Sequence, residues 1–172
     1  MKWLLDILRK WICPPIKEEI ALPKPAIQRL GLTGSKITDE LKTNNIKLLR
    51  LLDKETDYYF TTHEDWGKVL AWIYQTQELP QYSVDTEGKW NLDCEDWAIW
   101  LKAMVSLHFG FNYFGLVIGR IPLWYGGYGY HGFNLLRDED GLKLYEPNPG
   151  FGYSNEPFEL FGHGYIAEEI LV

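Results

Sequence analysis

Asn91-Leu92-Asp93-Cys94-Glu95-Asp96-Trp97-Ala98 is the stretch on which the fold turns. Asp93 carries a short acceptor side chain suited to the free N–H groups of a helix start, so Cys94 is expected in a first helical turn. Trp97, Trp100, Met104 and Leu107 then recur along one stripe, which predicts a buried helix over residues 94–108 stopped by Gly110. Free N–H groups and the positive dipole end favour a thiolate there, the nucleophilic form of cysteine. The same groups suit a developing oxyanion. Glu95 and Asp96 work the other way, because neighbouring carboxylates raise a thiol pKa, so a cationic partner is needed. The competing reading makes Cys94 a small buried hydrophobe and the acids mere helix caps.

Downstream, residues 111–121 read as a strand and 124–132 as a loop dense in Gly and Tyr. Residues 130–136 and 142–146 read as two strands joined at Asp138-Glu139-Asp140-Gly141, and 165–172 as a last strand. Upstream, Trp3, Leu4, Ile7, Leu8 and Trp11 predict an amphipathic helix over 3–12. A helix over 38–53 is expected, with Thr38 as cap and Leu41, Leu48, Leu49 and Leu52 as its apolar face. Thr61-Thr62-His63-Glu64 reads as a capping box ahead of Trp66, Val69, Leu70 and Ile73. Residues 1–34 therefore form an amphipathic helix and Pro-rich strap, and 35–172 a single domain. Helices first and antiparallel strands second define an α+β class, with Cys94 on a central helix packed against an antiparallel sheet.

His131 opens a strand after the Gly/Tyr loop, where an imidazole can meet a cleft; a cysteine and a histidine in reach of each other make the pair of a thiol hydrolase. The turn at 138–141 permits a register check: it sets Phe133 opposite Glu146 and His131 opposite Asn148. Opposed residues share a face, so Glu146 and Asn148 both lie on the face of His131, and either can orient its ring.

This order of Cys, His and acid resembles the transglutaminase-like superfamily of papain-like cysteine enzymes. Asp93-Cys94-Glu95-Asp96-Trp97-Ala98 looks like its nucleophile motif, His131-Gly132-Phe133 its histidine strand, and Leu144-Tyr145-Glu146-Pro147 its third segment. The family typically has Asp before that Pro; Glu146 stands there in this chain. The resemblance covers roughly residues 60–150 and implies a nucleophile Cys94, a base His131 and an orienting Glu146 or Asn148. The trio Asp93-Cys94-Glu95 is most like bacterial transglutaminase-like cysteine proteinases, some of them calcium-dependent, which implies Asp93 and Glu95 as candidate calcium ligands. Two carboxylates fall short of a shell of about six to eight oxygens, and helix capping is their other role. Trp90, through its indole N–H, and Tyr130 are candidates for lining the oxyanion or substrate side.

Composition trims the alternatives. Of 172 residues with a net charge of -7, residues 90–172 hold 4 basic against 11 acidic residues and 18 of the 27 aromatics. A phosphate-tracking surface needs the opposite sign on its aromatic face, so nucleic acid is not an expected partner. An acidic cleft would instead favour cationic substrates. The two cysteines, Cys13 and Cys94, make no disulfide framework, and a clustered Cys/His zinc site is absent. No apolar run reaches bilayer length and no signal peptide is recognised, so a cytoplasmic chain is expected, with virion association or export as alternatives. The expected function is a thiol-dependent peptidase, amidase or transamidase acting on a protein or peptide. The alternative is a non-catalytic component of a larger assembly, docking a partner through residues 1–30. A carbohydrate-active enzyme using Glu146 and Asp96 stands last, since nothing sets their separation.

Overall fold

The computed structural model describes residues 22–50, 57–79, 93–149 and 156–172. The expected helix over 3–12, the first part of the Pro-rich stretch and Trp90 lie outside the described residues. The elements are β1 (Leu30–Thr33), α1 (Gly34–Thr43), β2 (Lys47–Arg50), β3 (Asp57–Phe60), α2 (His63–Thr76), α3 (Cys94–Phe109), β4 (Phe114–Pro122), β5 (Tyr128–Arg137), β6 (Leu142–Tyr145), β7 (Phe158–Glu159) and β8 (Ile166–Leu171). β1 and β3 pair in a two-stranded sheet, and the other six strands form a second sheet in the order β2-β8-β4-β5-β6-β7. The class is α+β.

The large sheet is mixed, which corrects the antiparallel expectation: β2 runs parallel to β8, with Lys47 beside Glu169. That strand displaces the second half of the helix expected over 38–53. The helix runs only over Gly34–Thr43, and Thr38 is not its cap but an interior residue donating to the Gly34 carbonyl. Asn45 then adopts a left-handed backbone (φ 57), a conformation Asn tolerates better than most residues and one that a continuing helix cannot use. The stretch before Gly34 is tied to the body: the Gln28 N–H donates to Asp65 Oδ2 at 2.7 Å, and β1 joins β3.

The capping residue of α2 is Thr62, one position later than the expected box, and its hydroxyl accepts from the Asp65 N–H. Trp66, Val69, Leu70 and Ile73 are fully buried on the predicted face. At α3 the capping reading holds in full: Asp93 accepts from the Asp96 N–H while the Asp96 carboxylate accepts from the Asp93 N–H, and Gly110 closes the helix at φ 66. The buried stripe of α3 differs from the expected one. It runs through Trp97, Ala98, Leu101, Val105 and Phe109, while Leu107 is 74% exposed and Trp100 and Met104 are half-buried. Two residues beyond Val105 the helix has turned by about 200°, so Leu107 points away from the sheet.

α3 lies across β4 and β5, on the side of Gly132 and Asn134. Asn134 Nδ2 stitches the layers together, donating to the Ala98 carbonyl at 2.9 Å and the Gly115 carbonyl at 3.1 Å. His131, Phe133 and Leu135 take the other side, opposite Gly119, Val117 and Gly115 in the register. Phe133 and Tyr165 pack edge to face there at 5.2 Å. Among the described residues no helix is long and apolar enough to cross a membrane.

Candidate active site

The β5–β6 hairpin fixes His131. Its observed pairs run from Arg137↔Leu142 to Asn134↔Tyr145. This is the register expected from the 138–141 turn, in which the Asp138 carboxylate accepts from the Asp140 and Gly141 N–H groups. One step further along that register, Glu146 follows Tyr145 on the face of Phe133 and His131. His131 Nε2 donates to Glu146 Oε2 at 2.7 Å, with the two side chains 3% and 0% exposed. The Tyr165 hydroxyl donates to the same oxygen at 2.9 Å, and the Asn148 N–H donates to Oε1 at 2.8 Å. Glu146 thus reaches the ring through its side chain, and Asn148 supports Glu146 through its main chain. Three donors around a buried carboxylate offset its desolvation and hold it in one orientation. Phe133 stacks on the imidazole, with centroids 6.2 Å apart, and Tyr165 meets it edge-on at 6.1 Å.

The cysteine arrives from α3. The Gly132 N–H donates to Cys94 Sγ at 3.3 Å, two residues past the last β5–β6 pair. The sulfur is therefore held by the peptide group that immediately follows His131. This approach requires glycine: a Cβ on residue 132 would sit 2.8 Å from Glu95 Cα and 2.9 Å from Glu95 N. Gly119, the register partner of His131, is equally confined, with the Ile166 carbonyl oxygen 2.2 Å from a hypothetical Cβ.

The Cys94 thiol donates to Glu95 Oε2 at 2.9 Å. Burial first, then that hydrogen bond and the charges of Glu95 and Asp93, push the thiol up to about 11, against a smaller opposing pull from the Gly132 N–H. A neutral thiol is therefore the resting form at pH 7, kept so by burial first and by the neighbouring carboxylates second.

Asp93, Cys94 and Glu95 bring one ligand atom each within 4.8 Å of one another, the one such set of three among the described residues. The set does not fit calcium. One member is a sulfur, Asp93 is engaged in its helix cap, and Glu95 holds the thiol, so a hard cation finds too few oxygens.

Tyr130 is 80% exposed and stands on the α3 side of β5, opposite Arg120. His108, at the end of α3, packs edge-on against Trp72 at 5.1 Å. Sequence reasoning missed Tyr165 as a partner of Glu146, and it missed Gly119 and Gly132 as close-approach positions. The small residue directly after His131 was the available signal for Gly132; for Tyr165 there was none, because its contact spans 19 positions.

The chain matches no protein-family model and no curated protein.

Proposed function

We propose that this chain is a thiol-dependent amide hydrolase of transglutaminase-like type, with Cys94 as nucleophile, His131 as base and then acid, and Glu146 as the residue that orients the ring. The observation that carries this reading is the junction at the His131–Gly132 peptide. On one side stands a buried His131–Glu146 pair at 2.7 Å, on the other an N–H that holds the Cys94 sulfur at 3.3 Å. A core histidine needs a partner, but it does not need a cysteine from a helix start pressed against its own peptide through a confined glycine, Gly132.

In this reading the proton moves through Nδ1, since Nε2 is engaged by Glu146, and the His131 ring, on the face of β5 away from α3, has to meet the thiol at the strand's edge beside the Gly132 N–H. The imidazole takes the thiol proton as Sγ attacks the substrate carbonyl carbon, and the carbonyl electron pair moves onto oxygen. The N–H groups in the first turn of α3 suit that oxyanion. Collapse breaks the C–N bond, His131 protonates the departing amine, and a thioester remains on Cys94. Water, deprotonated by His131, then releases the acid and restores the thiol. Because the thiol rests protonated, proton transfer accompanies attack and no thiolate stands ready beforehand.

The thiol's raised pKa also favours a second reading, in which the fold serves an assembly and Cys94 is inert. Incubation with a mixed peptide pool, followed by mass spectrometry, separates the two. New amine and carboxyl ends, and an acyl adduct on Cys94 that vanishes in Cys94→Ala, are expected. An intact pool with an unmodified Cys94 contradicts the hydrolase and leaves the structural role.

A further inference from the structure

The chain leaves the β5–β6 ladder at the acid. Asn134↔Tyr145 is the last pair, and Glu146, Pro147 and Asn148 follow as irregular backbone. Glu146 and Pro147 are buried, so main-chain groups there need partners from other elements. Pro147 has no N–H to give, and its carbonyl is taken by a side chain from α2: the Tyr74 hydroxyl donates to it at 2.6 Å. That bond falls one residue beyond Glu146.

Tyr74 lies in the last turn of α2, and its ring is held by both layers. It meets Trp100 of α3 edge-on at 5.7 Å and tilts against Tyr145 of β6 at 6.5 Å. Tyr74 therefore bridges the helix that carries Cys94 and the strand end that carries Glu146. Tyr145, the register partner of Asn134, is on the α3 face of the sheet, while Glu146 turns to the opposite face and His131. The acid is thus gripped from both faces: Tyr165 holds its carboxylate, and Tyr74 holds the main chain just after it. Burial first, then Tyr145 and the charge of Glu146, push the Tyr74 phenol up. A phenol kept neutral stays a donor.

We propose that Tyr74 is a positioning residue of the candidate site: by holding the Pro147 carbonyl it fixes the segment from which Glu146 reaches His131 Nε2. The inference rests on the hydrolase reading and adds to it a residue of α2 that touches no reacting atom. The His131–Glu146 bond, at 2.7 Å, weakens with small changes of distance and angle. A misplacement of about 1 Å in such a support can cost about a hundredfold in rate.

The test compares Tyr74→Phe with Tyr113→Phe. Each removes one hydroxyl from a ring that stays packed, and the Tyr113 hydroxyl donates to Glu40 Oε2 at 3.1 Å, among Tyr58 and Phe60. Each should lower the melting temperature by a comparable few degrees, so a merely structural role moves both alike. Two readouts separate them: the rate at which p-nitrophenyl acetate acylates Cys94, and the proton resonance of His131 Nε2–H, assigned by its loss in His131→Ala. Tyr74→Phe is expected to slow acylation about tenfold or more and to shift or broaden the resonance, because a slackened bond to Glu146 exposes that proton to exchange. Tyr113→Phe should leave both at their wild-type values. If either readout of Tyr74→Phe overlays that of Tyr113→Phe, the role of Tyr74 is overturned and the hydrolase reading stands. A wild-type Cys94 that the ester does not acylate overturns both.

Discussion

The two halves of the candidate site are built to different standards. The His131–Glu146 half is buried and held from several directions: hydrogen bonds from Tyr165 and the Asn148 main chain, and rings of Phe133 and Tyr165 against the imidazole. The Cys94 half is half-buried, and its thiol is given to the neighbouring Glu95. On the proposed reading, a base fixed in advance and a nucleophile kept protonated divide the work: the sheet supplies orientation, and reactivity waits for a proton transfer during attack. The same difference decides which substitutions are felt as lost stability and which as altered reactivity.

The largest effect is expected in the buried half. Glu146→Ala removes the acceptor of three donors and leaves His131 and Tyr165 without it in a closed interior, a loss of about 3–5 kcal/mol by analogy with broken buried pairs. Chemical denaturation checks this, and an unchanged midpoint would dissolve the contrast between the halves. Gly132→Ala acts on the junction. Its Cβ meets backbone atoms of Glu95 that cannot give way, so the start of α3 must move off β5, at about 1–3 kcal/mol. The same variant should slow any Cys94-dependent turnover. Tyr165→Phe removes one hydrogen bond and keeps the ring packing, for about 1 kcal/mol.

The smallest stability effect, and the most informative change in reactivity, belongs to Glu95→Gln. The folded protein raises the thiol from 9.0 to about 11, with burial as the first cause and Glu95 the second. A group raised on folding stabilises most while both states are protonated, below pH 9, and that contribution is lost as pH rises through about 11. Neutralising Glu95 should move the alkaline limb of iodoacetamide alkylation to lower pH and raise the rate at pH 8 severalfold. A pH profile that overlays the wild type would show that Glu95 does not restrain the thiol.

The parts legible in the sequence were those fixed by local chemistry. Asp93 and Gly110 bounded α3 because caps act within a turn, and the 138–141 turn set the β5–β6 register because a hairpin leaves no freedom once its turn is placed. The parts that escaped depend on distant chain. Leu48 fits a helical apolar face as well as a strand, and only parallel pairing with β8, more than a hundred residues later, makes it β2. Leu107 entered the predicted stripe by its apolarity, while the sheet beneath α3 selected the row of Leu101 and Val105. Cys94, His131 and Glu146 could be nominated from residue types and order. That Glu146 reaches the ring by its side chain and Asn148 supports it by its backbone follows from the course of the chain after Tyr145, which no spacing rule specifies.

The most direct test of the account is the rate at which p-nitrophenyl acetate acylates Cys94 at pH 7.5 in the wild type and in His131→Ala. If His131 removes the thiol proton during attack, the variant should lose about a hundredfold or more, the range of general-base assistance. Equal rates in two folded proteins would mean that Cys94 acts alone, and would contradict the pairing of the two halves.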